Sequence, residues 1–428
     1  MRTLRRRIEK KSALSAMIVF FVLIVTGIDA YVSSYYGRDV SMTKTQVAED
    51  REQAIQYVEN VHPFFLLEKN QEEYKAAKHE YIERTQKKMT VDEFWEATSA
   101  YLCSLEDAHT RIGWRANEKI EVLRMESVYE DGKTYLWKDG KKTDVWVQKI
   151  GGVEIEKIYK KIDEVFPAEN EIAEIENRDT YTRVRKTLEA CDVVSDRNKV
   201  EVLFSDGTKR NYFFGVKKPS AEENKWYMDN GIFVVDFNSC VDDDNLKKIA
   251  EELKHAVKNG CAKVIIDVRG NSGGDSAACD RLVRAMGMEV PDYGIVARHS
   301  EEAAEQFGYQ QKKGISTWKG TVGTAKQNNK VNLVVLSDRY TFSSATMLCV
   351  YVRDGKLGTI IGEPSSNKPN SYGDILMFEL KNSQLPMSVS YKQFIRPDSS
   401  NEENMLMPDI QTSAVDAYKE AVKFFLRL

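Results

Sequence analysis

Two turns in this sequence carry the residue types that acyl-transfer chemistry requires. The first is Asp267-Val268-Arg269-Gly270-Asn271-Ser272-Gly273-Gly274-Asp275, directly after the apolar run AKVIIDV. Glycines let backbone N–H groups approach a ligand closely, and N–H groups at the start of a helix suit an oxyanion. The glycine spacing does not fit G-x-G-x-x-G, so a dinucleotide-binding reading fails. The second turn is Leu336-Ser337-Asp338-Arg339-Tyr340-Thr341-Phe342-Ser343-Ser344-Ala345, again between an apolar run and a helical pattern. A serine there can expose its hydroxyl where the helix dipole favours developing negative charge. Each turn also has a plainer reading. The first is an ordinary strand-to-helix turn, and Ser343 and Ser344 are helix caps in the second.

These turns need elements to position them. Residues 225–428 alternate strand and helix patterns: GIFVVDF, then DNLKKIAEELKHAVKNG ending on Gly260, then AKVIIDV, SAACDRLVRAMG, VNLVVLS, SSATMLCVYVRDG and TIIGE. Such alternation predicts an α/β layered core, and AKVIIDV reads as a strand buried on both faces. Residues 112–224 form a β-rich insert. TYLWK, VWVQKI, KVEVLF and RNYFF are short strands there, IEKIYKKIDEVF and RVRKTLEAC are amphipathic helices, and PAENE marks a break. Residues 51–111 read as a subdomain of three charged helices. Thr90 with Glu93 is a capping-box signature for the last of them. Residues 36–50 read as a polar linker.

Taken together, Asp-x-Arg-x-Asn-x-Gly-Gly, Phe-Ser-Ser-Ala about 70 residues later, and Gly362-Glu363-Pro364 resemble the tail-specific or C-terminal processing serine peptidases. That family includes the catalytic core of tricorn protease. Met407-Pro408-Asp409-Ile410 extends the resemblance. Leu105-Glu106-Asp107-Ala108-His109-Thr110 looks like the family's upstream Asp-Gly-His-Thr motif. The likeness covers roughly residues 90–428. It implies a ClpP/crotonase-like core of stacked ββα units and peptide-bond hydrolysis through an acyl-enzyme. VWVQKIGGVEIEKIYKKI loosely resembles the end of a PDZ domain.

Carried over residue by residue, the resemblance makes Ser343 the nucleophile. The oxyanion donors become Ser344 with Gly273 or Gly274. Serine needs a base to take its proton, and two branches of the family differ in supplying one. One uses a lysine 25 residues after the serine, the position of Lys368; that amine must be neutral, hence desolvated, to act. The other uses an upstream histidine, here His109, with an acid that Glu402 or Glu403 would provide. Histidine works near neutrality without heavy desolvation. Tyr372 stands where the lysine branch usually has Gln, and Ala108 where the histidine branch has Ser. Asn271 and Tyr372 are expected to shape the substrate cleft, and Asp267 with Arg269 to hold the glycine turn. No metal or organic cofactor is implied.

Composition bounds the rest. The 428 residues are 42% hydrophobic and 30% charged with a net charge of -4, which gives no footprint for nucleic acid. Arg2, Arg5, Arg6, Arg7, Lys10 and Lys11 precede 16 uncharged residues, ALSAMIVFFVLIVTGI. A basic flank stays cytoplasmic. Residues 1–35 are therefore expected to be a signal anchor, uncleaved in preference to a cleaved signal, with the body outside the membrane; together with the family resemblance this points to a bacterial, Gram-positive-like cell surface. Substrates would then be extracytoplasmic peptides or proteins. Six cysteines and five histidines show no metal-type spacing. A different class of function, a non-catalytic ligand- or peptide-binding protein on the same scaffold, fits the departures at Ala108 and Tyr372.

Overall fold

The apolar runs after residue 225 assemble into a six-stranded sheet in a computed structural model that describes residues 40–115, 119–194, 198–217, 222–323 and 328–428. Its order is Lys225–Asp229, Ile232–Asp236, Lys263–Asp267, Asn332–Ser337, Gly358–Gly362, Ile410–Gln411. Only the first pair is antiparallel. Parallel neighbours need crossovers, and helices supply them. Side chains alternate between the faces. Phe233, Val235, Val264, Ile266, Leu333 and Val335 join the core under the helices Asp244–Lys258, Ser276–Ala285 and Ser344–Asp354. Ile232, Val234, Ile265, Val334 and Leu336 meet Ala417, Ala421 and Phe425 of the helix Ala417–Leu426. Both faces are dry, as the unbroken apolar runs predicted.

A second, antiparallel sheet runs Gly314–Trp318, Gly294–His299, Pro386–Ile395, Ser371–Glu379. The short strand Arg111–Ile112 also pairs with Pro386–Ile395, setting Arg111 opposite Ser388 and Ile112 opposite Met387. That two-residue pairing brings the His109 turn, far upstream in sequence, into the carboxy-terminal half. A third sheet of seven strands lies within residues 121–216. The helices Ile155–Val165, Glu171–Tyr181 and Arg185–Ala190 accompany it.

The amino-terminal helices are Lys44–Val61, Phe64–Leu67, Glu72–Arg84 and Val91–Cys103. The Thr90–Glu93 capping box is present with both reciprocal bonds. The first helix starts at Lys44, inside the stretch expected to be linker, because Thr43 and Gln46 form a second capping box there. These helices, the β-rich stretch and Met387, Val389 and Tyr391 share one buried cluster. The expected signal anchor at residues 1–35 lies outside the described residues. Among those described, no helix is long and apolar enough to cross a membrane. All six cysteines are free thiols.

One buried ion pair ties the second sheet to the helix Ser344–Asp354. Arg396 is fully buried and donates to Asp354 through Nη2 at 2.5 Å and Nε at 3.1 Å. Asp354 also accepts from the Asp398 amide at 3.0 Å. Removing one partner of such a pair leaves an uncompensated buried charge. Asp354→Ala is expected to lower unfolding free energy by about 3–5 kcal/mol, read by urea denaturation. A loss below about 1 kcal/mol would place the pair among interactions of surface-like strength.

Candidate active site

Both turns singled out in the sequence sit at carboxyl ends of neighbouring parallel strands, Lys263–Asp267 and Asn332–Ser337. They are laced together. Asp338 Oδ1 accepts from the Gly270 and Tyr340 amides, each at 3.0 Å. The Phe342 amide donates to the Asn271 carbonyl at 3.0 Å. The Thr341 hydroxyl donates to the Val268 carbonyl at 3.0 Å. Asp267 and Arg269 pair as expected, with Arg269 Nε 2.8 Å from Asp267 Oδ1.

Ser343 closes the second turn with φ 53° and ψ −126°. That conformation is unfavourable for a residue with a Cβ and costs roughly 1–3 kcal/mol. Ser343 occupies the N-cap of the helix Ser344–Asp354, yet its hydroxyl makes no capping bond. The hydroxyl instead lies 3.0 Å from His109 Nε2. The capping alternative thus fails for Ser343. The Ser343 amide donates to Asn367 Oδ1 at 2.9 Å, which fixes the strained backbone.

His109 is held through its backbone and one face of its ring. The Ser388 hydroxyl donates to its carbonyl at 2.7 Å. Its ring lies against Phe342 with centroids 4.7 Å apart. Nδ1 is 3.6 Å from Asp107 Oδ1 and 3.8 Å from Glu169 Oε1, with no hydrogen bond closer. Catalytic hydrogen bonds are often long before substrate is bound. If Nε2 accepts the serine proton, Nδ1 carries the other one and faces two carboxylates.

Behind Asp107 stands His62. Its Nδ1 accepts from the Phe64 amide at 3.2 Å, so Nε2 carries the proton and donates to Asp107 Oδ2 at 3.1 Å. Burial alone would raise the Asp107 carboxyl, but the imidazoles of His109 and His62 beside it hold it well below its usual value. For His109, burial disfavours the cation; the close approach and charge of Asp107, and then the charge of Glu169, outweigh it and raise the pKa above the ordinary 6.5. Glu169 is pushed up to about 7, chiefly by burial; the His109 charge opposes that rise and the Asp107 charge adds to it. Asp107, His109 and Glu169 also form a group compact enough for a metal ion, with donor atoms within 4.8 Å of one another. Their outer oxygens are already committed, however: Asp107 Oδ2 to His62, and Glu169 Oε2 to Asn367 and Lys368.

The remaining expected residues divide sharply. Among the described residues, the Gly274 and Ser344 amides have no protein acceptor, and the Ser344 hydroxyl donates to the Gly274 carbonyl at 2.8 Å. The Gly273 amide, by contrast, donates to Asn271 Oδ1 at 2.8 Å and is not free for an oxyanion. Gly273 matters for the space it leaves. It has φ +96°, and a Cβ there would lie 2.6 Å from the Ser343 Cβ and 3.0 Å from the Ser344 amide. Asn271 is fully buried and also donates to the Phe237 carbonyl at 2.6 Å, so it braces the turn and does not line a cleft. Tyr372 packs on His62 with ring centroids 4.4 Å apart, so it backs the Asp107 side of the site.

Lys368 and the two late glutamates do not join this group. The Lys368 ammonium is paired with Glu106 at 2.8 Å, and no hydrogen bond joins it to Ser343. Glu402 is exposed. Glu403 accepts from Arg396 and Asn401 at 3.4 and 3.2 Å. The acids beside His109 are Asp107 and Glu169, which sequence reasoning did not assign. Asp107 carried a signal, an acid two residues before the histidine within the quoted motif. Glu169 lay in the break PAENE, and His62 stood alone before Pro63; no spacing linked either to Ser343.

The family model for peptidase family S41 matches residues 232–412. No curated protein matches significantly. Among solved structures, mature CPAF complexed with lactacystin is 11% identical, with a TM-score of 0.61 over 90% of this chain and 98% of that one. Mature CPAF alone gives 10% identity and a TM-score of 0.60 over 90% and 96%. A photosystem II D1 C-terminal processing protease is 14% identical, covers 87% and 93%, and gives a TM-score of 0.46. At such identities the first two likenesses establish a shared fold. Over residues 232–412 the chain matches peptidase family S41, and it is a serine-type peptidase.

Proposed function

We propose that this peptidase cleaves extracytoplasmic peptides or proteins through an acyl-enzyme on Ser343, in the manner of a C-terminal processing endopeptidase. The observation that carries the reading is the 3.0 Å contact between His109 Nε2 and a Ser343 hydroxyl that has given up its capping role. In this mechanism His109 takes the proton as Ser343 Oγ attacks the scissile carbonyl. Asp107 steadies the resulting imidazolium. The amides of Gly274 and Ser344, the latter at the start of a helix, receive the oxyanion. His109 then returns the proton to the leaving amine, and water repeats the sequence to free the enzyme. Lys368 stays outside the proton path.

The cationic head and the uncharged run of residues 13–28 support a signal anchor that leaves the body outside the membrane. The helix-linked parallel strands support reading residues 225–428 as a ClpP/crotonase-like core. The strand-and-helix make-up of residues 112–224 supports a PDZ-like insert, with residues 51–111 as a helical subdomain.

Three measurements test the chemistry. Ser343→Ala is expected to abolish both cleavage of a mixed peptide library and labelling by a fluorophosphonate. His109→Ala should lose about 10²- to 10⁴-fold, while Lys368→Ala should stay within a few-fold of wild type. A dead Lys368→Ala beside an active His109→Ala would reverse the assignment of the base. If wild type neither cleaves nor labels, a binding function on the same scaffold takes its place.

The second concerns pH. The base works only when neutral, so kcat/KM must fall as pH drops through the raised His109 pKa. The midpoint is expected above 6.5. Asp107→Asn removes the main interaction that holds the cation and should move the midpoint to lower pH while lowering kcat. An unmoved midpoint would mean that another group sets the limb. Third, Gly273→Ala should suppress fluorophosphonate labelling at least ~100-fold, because its Cβ occupies the space beside Ser343. Labelling at the wild-type rate would show that the turn can relax around a methyl group.

A further inference from the structure

Glu169 belongs to neither of the turns that carry Ser343 and His109. It lies between the helices Ile155–Val165 and Glu171–Tyr181, and its carboxylate is buried. Three N–H donors converge on it. Oε2 accepts from Asn367 Nδ2 at 2.6 Å and from the Lys368 amide at 3.0 Å. Oε1 accepts from the Ala108 amide at 3.2 Å and faces His109 Nδ1 at 3.8 Å. Asn367 in turn accepts the Ser343 amide through Oδ1. One side chain therefore touches the turn that carries the base and, through one intermediary, the backbone of the nucleophile.

The neighbouring residue acts in the same direction. Asn170 caps the helix Glu171–Tyr181 through the Ala173 amide at 2.9 Å and donates to the Ser365 carbonyl at 3.4 Å. Two consecutive residues thus fasten the 112–224 stretch to the loop that holds Ser343 in place. Further contacts fasten the same stretch to the nucleophile turn: Arg339 Nη1 donates to the Tyr129 carbonyl at 2.7 Å, and the Tyr340 hydroxyl donates to Asp179.

We propose that Glu169 is a positioning residue of the peptidase, a strut from the 112–224 stretch that sets the His109–Ser343 geometry by holding Asn367 and the Ala108 turn at once. This inference rests on the assignment of Ser343 and His109 above. It reaches past that assignment because it makes the seating of the 112–224 stretch a condition of catalysis. Glu169 moves no proton in the reaction. Without it, Asn367 loses its anchor, and the Ser343 backbone can relax from φ 53° toward a less strained conformation that aims the hydroxyl away from His109.

The test uses the full chain with Glu169→Ala, Glu169→Gln, Asn367→Ala, the Glu169→Ala/Asn367→Ala double variant, and Ser343→Ala as control. Fluorophosphonate labelling rates are measured, with kcat and KM on the library peptide that wild type cleaves fastest, and thermal unfolding alongside. Glu169→Ala is expected to lower kcat and labelling about 100-fold, the scale of a small misplacement of reacting groups, with KM within about threefold. Glu169→Gln keeps the size and one accepting oxygen but sets an amide donor against the N–H groups on the other side, so it should recover only part of the rate. The double variant should be no slower than the slower single, because the two residues act as one unit. Wild-type kcat in Glu169→Ala, a loss shared equally by Glu169→Gln, or additive losses in the double variant would each overturn the proposal. Labelling that persists in Ser343→Ala would instead overturn the nucleophile assignment, so the two failures are told apart.

Discussion

Ser343 can aim its hydroxyl at His109 only while its backbone stays at a positive φ, and most of the surrounding structure serves to keep it there. A strained conformation of this kind survives only where neighbours over-determine it. Here the amide is bound by Asn367, and the preceding residue is tied to the glycine turn through the Asn271 carbonyl. The helix that follows is anchored at its far end by the Arg396–Asp354 pair. Gly273 completes the arrangement by having no side chain, since any Cβ would meet the serine itself.

Electrostatics imposes a second requirement. Charged groups are seldom buried unless partnered, and this site buries two carboxylates beside a histidine. Each is partnered from outside its own segment. Asp107 is met by His62, and Glu169 by Asn367, Lys368 and Ala108. The excess of acid explains why the His109 cation is favoured despite burial. In the proposed mechanism Lys368 takes no part in the proton transfer. Its ammonium pairs with Glu106, and its contribution to the site is its backbone amide.

The same arrangement unites parts of the chain that look separate in sequence. The amino-terminal helices give His62, the next turn Asp107 and His109, the β-rich stretch Glu169, and the α/β half Ser343 and Asn367. One hydrophobic cluster runs through the first three and into the strand Pro386–Ile395. In the proposed mechanism the nucleophile and the base therefore lie on different segments and are assembled only when those segments pack.

Local pattern determined a large part of this in advance. The apolar runs AKVIIDV and VNLVVLS, with helices between them, fixed the α/β layers, because strands dry on both faces have no polar alternation to hide. Glycines and serines at the ends of those runs marked both turns, and the Thr90–Glu93 box marked a helix start from two residues alone. His109 and Ser343 were legible as candidates through ordered motifs. That His109 and not Lys368 lies beside Ser343, that Asp107 and Glu169 rather than Glu402 and Glu403 face His109, and that the Gly273 amide is committed to Asn271 were not. Those outcomes depend on contacts between residues tens to hundreds of positions apart, such as the 234-residue separation of His109 and Ser343. Helix and strand periodicity reports only which face of an element is buried. Which buried acid meets which histidine is decided when the sheets pack and a two-residue strand at Arg111–Ile112 finds its partner.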